Sequence, residues 1–170
     1  MDEAIDRPLV SIVMGSKSDL LLMQPSMDIL SILKVPYEMD IVSAHRTPKK
    51  MYSYAQEVES RGVRVVIAGA GGAAHLPGMI AAMTILPVVG VPIPATKFEG
   101  LDSLLSIVQM PAGVPVATVA IGNAENAGLL AAQILATSHP RFAAVIRAYR
   151  EKLESKVDAS SLANKTVYLP

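Results

Sequence analysis

No cysteine occurs in the 170 residues of this chain. That excludes disulfides, cysteine-ligated zinc and a thiolate nucleophile. Tryptophan is also absent, and all aromatic residues together make up 4% of the sequence. The hydrophobic fraction of 51% must therefore pack from aliphatic side chains. Such chains suit parallel strands buried beneath helices. Neither sign of charge is in excess, because 15 basic and 15 acidic residues cancel. This argues against a nucleic-acid or membrane-surface binder that relies on a global basic field, while a local anion site stays open. The first residues, Met1-Asp2-Glu3-Ala4-Ile5-Asp6, are acidic and lack a signal-peptide core, so the expected location is the cytoplasm.

Charge is missing locally as well. Val65 to Thr96 contains no Asp, Glu, Lys or Arg. A bilayer span takes roughly 20 apolar residues, so length alone permits one. Pro77, Pro87, Pro92 and Pro94, with Gly69, Gly71, Gly72, Gly78 and Gly90, cut the stretch into pieces too short to span. The pieces read as strand, turn, helix and strand, buried in a core or an oligomer.

What is present has a regular order. Residues 8–14, 36–42, 63–68, 87–93 and 114–121 read as strands. Between and after them, helices are expected over about 19–34 (with Pro25 kinking it or marking a late start), 48–61, 75–84, 101–110, 123–137 and 140–156. Thr47 is placed to cap the second helix, with Pro48 at its first position. Residues 1–7 read as a polar arm and 157–170 as a loose tail, so one domain spans 1–170, its core about 8–138. Alternating strands and helices imply a parallel sheet with right-handed crossovers and helices on both faces. Two helices, around Met79–Leu86 and Gly128–Ala136, are apolar on all sides, which predicts a homo-oligomer.

Ligands of such sheets bind beyond the carboxyl ends of the strands. Three of those ends carry unusual turns. Gly15-Ser16-Lys17-Ser18-Asp19 offers hydroxyls and amides at a helix start, an anion site or simple capping. Ser43-Ala44-His45-Arg46-Thr47-Pro48 joins an arginine, which grips phosphate or carboxylate with two N–H groups, to a histidine that can pass protons near neutral pH. Gly69-Ala70-Gly71-Gly72-Ala73-Ala74 fits a dinucleotide fingerprint, but it lies in the third unit and the next strand offers no acid for a ribose. Its glycines serve close helix packing or a flat ligand on bare backbone. His75 beside it is a second acid–base group or a structural histidine, and His139 reads as surface. Three scattered histidines give no metal spacing.

Taken together, Gly15-Ser16-Lys17-Ser18-Asp19, Ser43-Ala44-His45-Arg46-Thr47-Pro48, Ala70-Gly71-Gly72-Ala73-Ala74-His75-Leu76-Pro77-Gly78-Met79 and Asp102-Ser103-Leu104-Leu105-Ser106-Ile107-Val108-Gln109-Met110-Pro111 closely resemble the N5-carboxyaminoimidazole ribonucleotide mutases of purine biosynthesis. The likeness runs from about Leu9 to Ala136. It implies a three-layer α/β/α flavodoxin-like domain with a five-stranded parallel sheet and an extra C-terminal helix. It also implies an octamer with sites shared between neighbouring subunits, and no metal or organic cofactor. The implied reaction moves a carboxylate from N5 to C4 of an aminoimidazole ribonucleotide, through decarboxylation and recapture of CO2. By position, His45 is the general acid and then the base. Ser16, Asp19 and Arg46 hold the ribonucleotide, Asp19 at the ribose and Arg46 with Ser18 and Ser43 at the phosphate. Ala70, Gly71, His75 and Leu76 wall the imidazole and the CO2. A related class that adds CO2 directly tends to have Lys after the histidine, so Arg46-Thr47 favours the mutase. The alternatives are that direct carboxylase and a non-catalytic nucleotide-binding flavodoxin-like module.

Overall fold

The computed structural model describes residues 7–163. Five parallel strands form one sheet: β1 (Val10–Met14), β2 (Tyr37–Ile41), β3 (Val65–Gly71), β4 (Val88–Ile93) and β5 (Ala117–Thr118), in the order β2-β1-β3-β4-β5. The helices among the described residues are α1 (Leu20–Ile32), α2 (Pro48–Glu57), α3 (Leu76–Ala81), α4 (Leu101–Val108), α5 (Ala124–Ala136) and α6 (Pro140–Ala163), with a 3₁₀ turn at Lys17–Asp19.

The two-residue period of the strands sorts the core into layers. Val10, Ile12 and Met14 of β1, with Val65, Ile67, Val89 and Val91, pack under α1, α5 and the start of α6. Val13, Val66, Ala68, Ala70 and Val88 point the other way, onto α2, α3 and α4. The expected α/β/α arrangement is thus present, with α6 as the extra helix. The chain winds outward from β1 in both directions, since β2 and β3 flank it. That reversal opens a crevice at the carboxyl ends of β1 and β3.

Several expected boundaries shift. β3 runs to Gly71 rather than residue 68, because Gly69, Ala70 and Gly71 pair with Val91, Pro92 and Ile93 of β4. β5 shrinks to two residues at the sheet edge, following a segment in which Pro111 and Pro115 have no N–H to donate. α3 stops at Ala81 and α2 at Glu57, each short of its expected end. Pro25 lies inside α1 and does not delay its start; the carbonyl deprived of an N–H belongs to Leu21, which is 83% exposed and open to water. The side chain of Thr47 makes no capping bond to α2.

α5 is covered within the chain on one face, while Leu129, Leu130 and Ile134 are only partly buried. Its small face, Ala124, Ala127, Gly128, Ala131 and Ala132, is buried in the layer shared with α1 and α6. The Met79–Leu86 segment differs: Ile85 is 87% exposed. α6 is helical as far as Ala163, which replaces the loose tail expected from 157; residues 164–170 and the arm before Arg7 lie outside the described residues. No helix among the described residues is long and apolar enough to cross a membrane.

Candidate active site

A cleft of about 500 Å³ opens in the crevice, lined by the loops that follow β1, β2, β3 and β4. All ten residues singled out from the sequence line it: Ser16, Ser18, Asp19, Ser43, His45, Arg46, Ala70, Gly71, His75 and Leu76. The sequence reading missed Gly15, Ala44, Ala73 and Ala95. Ala95 comes from the loop after β4, a fourth strand end, and as an apolar residue it carries no chemical signal of its own.

The first wall follows β1. Ser16 Oγ accepts from the Ser18 N–H at 3.3 Å and from the Ser18 hydroxyl at 3.0 Å. That hydroxyl also lies 3.2 Å from Asp19 Oδ1, so its single proton is shared between two acceptors. Asp19 is buried, and Ser18 is its one side-chain partner among the described residues. A carboxylate removed from water without a cation beside it has acceptor capacity to spare for a ligand that donates.

The second wall follows β2. Arg46 donates Nη2–H to the Gly15 carbonyl at 3.0 Å and Nε–H to Ser43 Oγ at 3.3 Å. One guanidinium thereby ties the 43–47 loop to the 15–19 loop, and its remaining N–H groups are available to an anion. Ser43 Oγ also accepts from the Arg46 backbone N–H at 3.2 Å. As an acceptor of both bonds, the Ser43 hydroxyl keeps its own proton for another partner.

The third wall is β3 and the start of α3. A Cβ added at Gly69 would stand 2.4 Å from Met23 Sδ, and one at Gly71 would stand 2.5 Å from the Ala95 Cβ. Both glycines therefore serve close packing within the chain, and Gly71 also presents bare backbone to the cleft. Ala70 and Leu76 are buried and supply an apolar floor.

His45 and His75 meet across the cleft. His45 Nε2 lies 2.7 Å from His75 Nδ1, and the rings stand edge to face at 81° with centroids 4.8 Å apart. Such a contact needs one N–H and one lone pair. It survives with both rings neutral or with one extra proton, and two imidazolium rings would set donor against donor. The contact fits both readings open for His75, a second acid–base group or a structural histidine. Nothing in the sequence signalled it, because the residues are 30 positions apart.

A second cleft, of about 360 Å³, lies between β2 and α2. Four of its charges are paired, Lys50 with Asp40 and Arg61 with Glu38, each at 2.8 Å, and Glu57 adds a fifth. Among the described residues no cluster of His, Asp or Glu could hold a metal ion.

Known proteins resemble this chain closely. The AIR carboxylase family model matches residues 9–156. A Pyrococcus horikoshii protein named N5-carboxyaminoimidazole ribonucleotide mutase is 57% identical over 153 residues, covering 90% of this chain and 86% of that protein. A Mycobacterium tuberculosis protein of the same name is 55% identical, covering 94% and 91%. A Schizosaccharomyces pombe protein named phosphoribosylaminoimidazole carboxylase is 57% identical over 91% of this chain, which spans only 28% of that longer protein. Among solved structures, Treponema denticola PurE superposes with a TM-score of 0.85 at 30% identity, covering 94% of this chain and 100% of the other.

Proposed function

The chain belongs to the AIR carboxylase family, and from that premise we infer that it is an N5-carboxyaminoimidazole ribonucleotide mutase, an isomerase of purine biosynthesis. The observation that carries the reading is the gathering of one buried carboxylate, one tethered arginine and a histidine pair around a single cleft.

Each part matches a demand of the reaction. The phosphate needs a fork of donors, which Arg46 supplies with the free proton of Ser43, and with the Ser18 hydroxyl once it turns from Ser16 and Asp19. The ribose hydroxyls need an acceptor, and Asp19 has one to offer, beside Ser16. The carboxylate leaves N5 when that nitrogen is protonated and its bond to carbon breaks, releasing CO2. C4 then attacks the CO2, and the C4 proton is removed. One proton is consumed and one returned, so a single acid–base group serves both steps and no co-reactant is needed to balance them. His45 gives and retakes that proton, with His75 sharing it across the hydrogen bond. CO2 must be kept from water and from escape, which suits the floor of Ala70, Gly71 and Leu76.

Exposed apolar side chains support an oligomer, with Leu21 at 83%, Ile85 at 87% and Phe98 at 69% accessibility in the single chain. An octamer whose neighbours complete the cleft and a cytoplasmic location belong to the same reading.

The name of the Schizosaccharomyces pombe relative favours a second reading, direct carboxylation of the uncarboxylated ribonucleotide. One assay separates the two. Prompt C4-carboxylated product from the N5-carboxylated substrate, without added bicarbonate, is expected of the mutase. Turnover only with the uncarboxylated ribonucleotide and bicarbonate would transfer the activity to the carboxylase. No turnover with either would leave a binding module.

A further inference from the structure

We propose that Thr47 is a positioning residue for His45: its hydroxyl closes the 43–47 loop into a rigid ring that aims the imidazole. Thr47 occupies the position before the first turn of α2, where a threonine ordinarily caps the helix amides. Its side chain makes no such bond. Instead, Thr47 Oγ1 accepts from the Ser43 N–H at 3.1 Å and donates to the Ser43 carbonyl at 3.0 Å. The Thr47 N–H reaches the same carbonyl at 2.9 Å. Two residues four apart are thus joined three times, with Ala44, His45 and Arg46 held between them.

The helix gives up something for this. α2 has Lys49 and Lys50 in its first turn, where the helix dipole disfavours cations, and it has no acidic residue there to offset them. A capping hydroxyl would serve such a helix well, yet it is turned the other way.

The two functional side chains of the ring depend on it differently. Arg46 has anchors of its own in Ser43 Oγ and the Gly15 carbonyl. His45 is exposed, and among the described residues its one side-chain hydrogen-bond partner is His75 on the opposite wall. Its direction is set by the backbone ring at one end and by His75 at the other. Loosening the ring should disturb proton transfer more than substrate anchoring.

This rests on the reading of His45 as the proton carrier, and the experiment tests the two separately. Thr47→Val keeps the shape and removes the hydroxyl. It should lower kcat about tenfold, with KM for the N5-carboxylated ribonucleotide within twofold of the parent, since misplacing a reacting group costs rate steeply. Thr47→Ser restores the hydroxyl and should recover most of the loss. Thr47→Ala serves if the valine variant fails to fold, and circular dichroism with thermal melting confirms that each variant is intact. A purely structural role would lower the melting temperature and leave kcat unchanged at 25 °C. An unchanged kcat, a loss that serine does not recover, or a KM that rises in step with the fall in kcat would each overturn the proposal. His45→Asn is the control. Full turnover there would remove His45 from its role, whereas an inactive His45→Asn beside a fully active Thr47→Val would defeat the positioning role alone.

Discussion

Replacing Arg46 by alanine removes the one guanidinium that both faces the cleft and laces two of its walls together. The side chain donates to the Gly15 carbonyl and to Ser43 Oγ, which leaves three N–H groups for a phosphate. A hydrogen bond to a charged group is worth about 1.5–3 kcal/mol when desolvated, and two such bonds would give about 3–6 kcal/mol. Arg46 is exposed in the single chain, so solvent screening pulls the figure to the lower end, about 3 kcal/mol. Because phosphate is held equally in the ground and transition states, the loss should fall on KM, raising it on the order of 100-fold, with kcat reduced only slightly. Initial rates over a range of substrate concentrations separate the two constants, and calorimetry with ribose 5-phosphate measures the anchor directly. Arg46→Lys keeps the charge and loses the fork, and should recover part of the deficit. Raising ionic strength should increase KM of the parent enzyme more than that of the alanine variant. A KM within twofold of the parent, with kcat collapsed, would show that Arg46 acts on the reacting atoms and would refute the phosphate assignment.

Four further expectations are open to measurement. Gly69→Ala sets a methyl group against Met23, and repacking that sulfur should cost about 1–3 kcal/mol, read as a lowered thermal midpoint. Tyr54→Phe removes the hydroxyl that donates to buried Ser11 at 2.7 Å, at a cost of about 1 kcal/mol by denaturant titration. Burial holds the Tyr54 hydroxyl protonated well above the ordinary tyrosine value of 10.0, so its contribution is intact below pH 10 and fades as pH rises beyond it. The parent should therefore lose more stability than Tyr54→Phe between pH 9 and pH 11. Ile85→Asp places a charge on an exposed apolar site, and light scattering should find a smaller assembly than the parent forms.

Much of this architecture could be read from the chain. Strands such as Val88–Ile93 are apolar at every position, and that continuous pattern marks a sheet covered on both faces. The cleft residues were legible because they cluster in short turns at strand ends, where a parallel sheet gathers them. The failures were tertiary. Gly69 to Gly71 reads as a turn by local preference, and it becomes strand only because β4 offers a continuous partner. Nothing in the pattern of α5 announces that α6 folds back over part of it. Thr47 reads as a cap by every local rule, and Ser43, four residues away, claims the hydroxyl instead. The two histidines carry no periodicity that would join them.

The crevice between β1 and β3 exists wherever the winding reverses, before any side chain is chosen. Its loops are fastened to residues sunk deep in the core, Met14 and Val42 at 0% exposure and Ala70 at 6%. The fold therefore behaves as a fixed socket holding replaceable inserts. Changes within an insert can alter the chemistry without reaching the foundations, so an inactive variant of this enzyme need not be an unstable one.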